Sequence, residues 1–344
     1  MLSIDVGKKN IHIAEGSFVK NNVVLDKAAS VTTPTGIFQG ESIGNTDLLV
    51  RTILDALQNF KITSKDAIIT IDAYGAIIRD IDLPAGKPKE ITAMIKNEMV
   101  QTYNAEPEEI IQYKSIGKVN SENGITMDRY RAAALNQGLI ESYYKVLTDA
   151  KLKPIAMDIN INAIDKLFSG EIIINDKLSN ESSIMLIDFG DSITTVYIIS
   201  QGNTVFFRQL DFGSGDIERI ISENSFESEE ELNKMKEEGF NFFGNNEAEQ
   251  NYFTILRPFF YNLTDEIRKV ISFYSTRSND GSINQIYLFG GGSNLAGFAE
   301  YCENNLGIHT EQIISISNVK FKESPVPIAS YINAIGALIR NDRR

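Results

Sequence analysis

Apolar runs and their polar interruptions divide this chain into alternating strands and helices. Met1 to Gly16, MLSIDVGKKNIHIAEG, is an apolar run, a polar tip and a second apolar run, the pattern of two antiparallel strands around a tight turn. Ser17 to Leu25 continues as strand with a turn at Asn21-Asn22. Leu48, Leu49, Ile53, Leu57 and Phe60 recur at helical spacing and predict a helix over Thr46 to Phe60, capped by Asn45 or Thr46. DAIITID, Asp66 to Asp72, then reads as a buried strand. Strand, helix, strand in this order places the chain in the α/β class.

The pattern changes after Ile77. A strand is broken by Pro84, Gly86 and Pro88, and a helix follows from Lys89 to about Tyr103. Ile110 to Ile116 and Arg131 to Leu135 read as strands, Asn120 to Asn123 as a polar turn, and Leu139 to Ala150 as a helix. We read residues 80–153 as a small α+β insert in a first half made of 1–79 and 154–183. An insert of this kind is a natural docking surface. Pro154 to Ser169 holds a strand with Met157 and Asp158, then a helix with Ile161, Ile164, Leu167 and Phe168 on one face.

Ile184 to Ser200, IMLIDFGDSITTVYIIS, is a second hairpin and opens a second half over 184–326, with an upper subdomain at 216–280. Gly213 and Gly215 precede a helix, so backbone N–H groups there are expected to meet an anion. Phe226 to Gly239 is a charged helix, read first as a solvated face, and Tyr252 to Ser278 a long amphipathic helix or helix pair around Pro258. A strand, Gln285 to Phe289, enters Gly290-Gly291-Gly292, and Ser293 or Asn294 is expected to cap the next helix. The closing segment, 327–344, carries Ala329, Ala334, Gly336 and Ala337, small enough to let the helix after Asp158 cross closely and form a hinge.

The two hairpins align. Setting Asp5 on Asp188 sets Gly7 on Gly190, Lys9 on Ser192 and His12 on Thr195, an offset of 183 residues. One such hairpin alone reads more readily as an ordinary turn; a pair opening each half suggests a duplication with a shared site. A carboxylate at a strand end in an apolar sheet needs a charged partner. Mg²⁺ held through water suits it, because that ion keeps its waters and binds one or two carboxylates plus phosphates. Glycine lets phosphate approach the backbone, while Ser192, Thr194, Thr195, Lys8 and Lys9 add donors. Gly290 to Gly292 fits a phosphate or nucleotide cradle, and equally a turn that needs glycine for sterics alone. It is no Walker loop, lacking Gly-Lys-Ser/Thr, and Leu295 stands where a dinucleotide fingerprint has its third glycine.

Composition narrows the partners. With 344 residues there is room for two domains and a large core. A net charge of −13 argues against nucleic acid as a partner. Cys302 alone makes no intrachain disulfide, and His12 and His309 make no metal-ligand pattern. No apolar stretch reaches the ~20 residues of a membrane span, and Met1-Leu2 runs straight into a strand. We therefore expect a cytoplasmic location without direct membrane insertion.

Hairpin, connecting helix, second hairpin, strand with triple glycine and small-residue closing helix, in this order, resemble the actin-like ATPase superfamily of actin, sugar kinases, FtsA and MreB. Within it the chain is similar to the PilM family of type IV pilus assembly. The supporting stretches are IIRDIDLP before the Lys89 helix and YRAAALNQGLIESYYKVLTDAKLKPIAMDIN. The resemblance implies an actin-like fold of two related halves around a cleft holding ATP and Mg²⁺. Gly7, Lys8, Lys9 and Asn10 would serve one phosphate loop, and Gly190, Asp191, Ser192 and Thr194 the other, joined by Gly213 and Gly215. Asp5 and Asp188 would face Mg²⁺ through water, and Gly290, Gly291, Gly292 and Ser293 would back the adenosine. Glu231 and Lys234 fit a Glu-x-x-Lys that relatives place near ribose and adenine, with Lys236 competing for the role. The N-terminal tail of PilN would lie between the first half and the insert, recruiting the chain to the inner face of the membrane. Pilus motor or platform proteins and self-association are further implied partners.

Two departures stand out. Asn160 follows Asp158 where this family usually has Glu, and an amide orients water but is a poor general base. ATP binding with slow or no hydrolysis is expected. Lys8-Lys9-Asn10 replaces the hydroxyls common in the first loop. An FtsA-like filament former, a small-molecule kinase of the same fold and a nucleotide-free scaffold are the alternatives. FtsA reaches the membrane by an amphipathic helix after a linker, whereas this sequence stops at Arg340 to Arg344 directly after the closing helix.

Overall fold

The computed structural model describes residues 1–40, 42–71, 76–120, 124–179, 182–225, 229–277 and 282–340. Asp72, Ser121 to Asn123, Phe226, Ser278 and Asn341 to Arg344, all within the sequence-based assignments above, lie outside the described residues. The helices are α1 (Thr46–Asn59), α2 (Pro88–Gln101), α3 (Gln137–Asp149), α4 (Asn160–Leu167), α5 (Gly215–Asn224), α6 (Glu229–Glu237), α7 (Glu247–Arg277), α8 (Phe298–Leu306) and α9 (Ile332–Ala337). Asn45 caps α1, its side chain accepting from the Leu48 N–H. Over its 31 residues α7 runs as one helix through Pro258, so no break occurs there.

The duplication read from the hairpins extends to whole sheets. In the first, strands run in the order Lys153–Ile159, Asp66–Ile71, Leu2–Val6, Asn10–Val19, Asn22–Thr32. In the second the order is Thr310–Gln312, Ile283–Phe289, Ser183–Phe189, Thr194–Ser200, Asn203–Leu210. In both, the opening three strands form an antiparallel meander and two further strands add in parallel beside the first. Asp5 pairs with His12 and Asp188 with Thr195. The Gly7 N–H donates to Asn10 O at 3.0 Å, and the Gly190 N–H to Ile193 O at 3.0 Å. The bond that closes one hairpin tip thus recurs at the same offset in the other.

Strand periodicity assigns the core. Met185, Ile187 and Phe189 enter the core beneath α5 and α7, while Ile184 and Leu186, on the opposite face, join the larger core shared with the first half. The insert has a third core, from Ile81, Leu83, Ile91, Ile95, Met99, Ala105, Ala132 and Ala134. Its sheet orders Ile77–Leu83, Thr126–Leu135 and Ile110–Asn120. Tyr143, Val146 and Leu147 of α3 pack in the first-half core instead. The apolar face of α3 thus packs against α1 and strand Lys153–Ile159. Val319–Phe321 pairs in parallel with Val23 to Leu25 and so adds a strand to the first sheet.

The crossing of α4 and α9 is close. A Cβ on Gly336 would overlap the backbone of Ala163, and α9 otherwise packs on strands of the first sheet. Gly336 thus has the steric role the sequence suggested. Among the described residues no helix is long and apolar enough to cross a membrane.

Candidate functional site

The two hairpin tips, the loop after Phe289 and the starts of α4 and α9 converge on one cleft of about 370 Å³. Asp5, Gly7, Lys8, Lys9, Asn10, Asn160, Asp188, Gly190, Asp191, Ser192, Gly290, Gly291 and Gly292 all line it. These come from four separate regions of sequence, and only the fold brings them together.

Each carboxylate is held. Thr70 Oγ1 donates to Asp5 Oδ1 at 2.8 Å from the adjacent parallel strand. Asn333 Nδ2 donates to Asp188 Oδ2 at 3.2 Å. Gly290 has φ +84° and sits so near Asp188 Oδ1 that a Cβ would overlap it, so both backbone and space demand glycine there. Among the described residues no three His, Cys, Asp or Glu side chains are grouped to ligate a metal directly. The donor set therefore fits a cation held by one or two carboxylates and water, the Mg²⁺ pattern, and not a fully protein-ligated ion.

Charge is concentrated on one side. Glu218, on the buried face of α5, receives Lys9 Nζ at 2.5 Å and Lys236 Nζ at 2.7 Å on the same oxygen, Oε1. Burial pushes the Glu218 carboxyl up, but Lys236 and Lys9 outweigh it and hold it below the usual glutamate range. Burial raises Asp191 above the usual aspartate range, against the pull of Lys9. His12, desolvated beside the cleft, is pushed down to about 4 and is neutral at physiological pH. Its ring meets Tyr331 edge-on at 5.1 Å.

Several expected residues have other roles. Thr194 is fully buried and donates to Phe212 O at 2.7 Å, so it holds the hairpin and does not face the cleft. Gly213 and Gly215 do not offer free N–H groups. The Gly213 N–H donates to Asp216 Oδ2 at 3.0 Å and the Gly215 N–H to Asp191 O at 2.9 Å, tying the start of α5 to the second hairpin tip. Ser293 Oγ donates to Gly290 O and braces that loop from behind. No cap forms at Ser293 or Asn294. Gly291–Asn294 is a single 3₁₀ turn, and α8 begins at Phe298 after Gly297 in the left-handed region. Glu231 and Lys234 lie exposed on α6; Lys236 reaches the cleft. Asp158 is buried and bonded to Lys166 Nζ at 2.5 Å, outside the cleft lining.

Sequence reasoning missed Glu218, which pairs with Lys9 and Lys236, and in the cleft lining it missed Ser214, Asn333 and the apolar wall of Phe38, Leu139 and Tyr143, while it named Lys236 only as a rival to Lys234. The signal for Lys236 was present. Leu232 is fully buried and Met235 packs on the same core, so the inward face of α6 passes through Lys236, not Lys234.

Known structures share this architecture. Residues 3–334 match the family described as type IV pilus assembly protein PilM. A PilM-PilN type IV pilus biogenesis complex aligns with a TM-score of 0.80 at 18% identity, covering 98% of this chain and 97% of that one. Ethanolamine utilization protein EutJ from Carboxydothermus hydrogenoformans aligns at 0.57 and 12% identity, covering 98% and 88%. MreB 5 of Spiroplasma citri bound to AMPPNP aligns at 0.52 and 10% identity, covering 97% and 93%. The fold is that of the actin-like ATPases. Matched over all but its ends, the chain belongs to the PilM family of type IV pilus assembly proteins.

Proposed function

We propose that this chain is an ATP-binding scaffold of type IV pilus assembly, with slow or no hydrolysis, whose insert region docks the N-terminal tail of a PilN-type partner. The observation that carries it is the convergence of two equivalent hairpin tips and the Gly290 loop on one cleft, with Asp5 and Asp188 held at its floor. Lys8, Lys9 and the hairpin N–H groups suit phosphate oxygens, and Lys236, Asn294 and Leu295 suit the nucleoside end. Asp5 and Asp188 would hold Mg²⁺ through its waters, and that ion would offset phosphate charge. On this reading Asn160 takes the place of a general base, and its Oδ1 is buried without a hydrogen-bond partner among the described residues. An amide there positions water and takes no proton. The solved PilM-PilN complex of similar fold supports the partner, and docking against the insert would recruit the chain to the inner face of the membrane. Motor or platform proteins and a second copy remain further proposed partners.

The test is direct. The protein is incubated with Mg-ATP, desalted, quenched in acid, and the released nucleotide identified. Retained ATP, lost in Asp188→Ala, is the expected result. ADP as the main product would overturn the slow-hydrolysis part, and no nucleotide in either protein would remove ATP from the function. Pull-down of the full chain by an immobilised PilN-tail peptide tests the docking separately.

A further inference from the structure

We propose that Asn333 is a positioning residue for Asp188, and that the amide oxygens of Asn333 and Asn160 receive water ligands of a hydrated divalent cation. The inference rests on the reading of the cleft as a magnesium-nucleotide site and names residues of this chain that would set its metal dependence.

Asn333 lies in α9, which packs on strands of the first half, while Asp188 ends a strand of the second. Their hydrogen bond at 3.2 Å therefore joins the two halves at the cleft floor. A carboxylate only accepts, so the amide must turn its nitrogen toward Asp188. Its oxygen is thereby turned away from the carboxylate. That Oδ1 is buried and has no hydrogen-bond partner among the described residues, and the same is true of Asn160 Oδ1. Both residues line the cleft, and they are 9% and 8% exposed.

A buried acceptor left without a donor is costly, and two in one cleft call for a donor to arrive. Nucleotide phosphate oxygens accept and cannot supply it. Water bound to a divalent cation donates both protons, and Asp5 and Asp188 are placed to hold such an ion. The helices bearing the two amides cross at Gly336 and Ala163, so their separation is fixed by close packing. Neutral amides also add acceptors without adding charge to the two carboxylates.

The experiment measures ATP binding by calorimetry in EDTA and across a series of free Mg²⁺ concentrations, with Mn²⁺ titrated by electron paramagnetic resonance as a second readout. Wild type is expected to gain affinity as Mg²⁺ rises. Asn333→Ala is expected to shift the Mg²⁺ and Mn²⁺ midpoints up by about tenfold or more, the usual effect of removing a group behind a metal ligand. Its affinity in EDTA should stay within about twofold of wild type. Asn333→Ser, which keeps one hydroxyl donor, should fall between, and it carries the test if Asn333→Ala does not fold. Asn160→Leu should shift the same midpoints. An unchanged midpoint in the Asn333 variants, or equal loss with and without Mg²⁺, overturns the inference while leaving ATP binding intact. A wild type that binds no ATP overturns the cleft reading itself, and this inference with it.

Discussion

Lys9 Nζ lies 2.5 Å from Glu218 Oε1, and the bond links the tip of the first hairpin to α5 of the second half. Lys236 shares that oxygen. Glu218 is nearly buried, so removing its charge leaves two cations facing each other. Breaking a buried pair on one side costs about 3–5 kcal/mol, and Lys9, which is partly exposed, brings Glu218→Gln to the lower end of that range. A bound polyanion would compensate. We expect Glu218→Gln to melt lower than wild type without ligand and to show the larger upward shift on adding Mg-ATP, as read by thermal denaturation. An equal shift in both proteins would contradict this.

His12 gives a pH dependence of definite sign. Its folded-state pKa is lowered to about 4 by burial, below the ordinary histidine value. The unfolded chain takes up the proton first, so this contribution is full above about pH 6.5 and falls away as pH drops toward 4. At about 1.4 kcal/mol per pKa unit, the fall from the ordinary value of 6.5 to about 4 makes the full loss about 3.5 kcal/mol, about 3 kcal/mol of it by pH 4. Urea unfolding of wild type and His12→Gln between pH 7 and 4 should show a flatter profile in the variant.

Asn160 sets the expected turnover. A carboxylate at this position would supply a general base, typically worth 10²–10⁴-fold. Asn160→Glu should raise single-turnover ATP hydrolysis by about a hundredfold, and Asn160→Ala should not. A wild-type rate that falls sharply in Asn160→Ala would mean the amide already takes part in rapid hydrolysis.

Arg131 fastens the insert. It bonds Asp80 at 2.7 Å, Asp165 of α4 at 2.9 Å and the Thr204 carbonyl of the second sheet at 3.2 Å, with Phe207 beneath it. Its side chain is 2% exposed. Arg131→Ala should cost about 3–5 kcal/mol. Hydrogen exchange should quicken in strands Ile77–Leu83 and Thr126–Leu135 before it changes in α7. Uniform loss of protection over the whole chain would argue against a local fastening.

The hairpin pair, the connecting helix and the crossing at Gly336 were legible because each depends on short-range pattern: alternation, turn glycines and small-residue spacing. Asp5, Asp188 and the Gly290 loop were legible for the same reason. The rest was not, because tertiary packing decides it. Which lysine of Lys234 and Lys236 turns inward depends on Leu232 finding the second-half core. Gly213 and Gly215 looked like anion donors until their N–H groups proved committed to Asp216 and Asp191. The apolar face of α3 suited either the insert or the first half, and nothing local distinguishes them. Asn333 stood within an apolar stretch, with no neighbour in sequence to suggest Asp188.

The repeated hairpin has an evolutionary consequence. Its geometry resides in backbone bonds, Gly7 to Asn10 and Gly190 to Ile193, and not in the intervening side chains. The tips are therefore free to diverge without loss of shape. One tip is cationic, with Lys8 and Lys9, and its twin carries Asp191 and Ser192. A symmetric ancestor would meet an asymmetric ligand with identical groups at both ends. Different side chains on a repeated frame would let this chain tell one end of a bound nucleotide from the other.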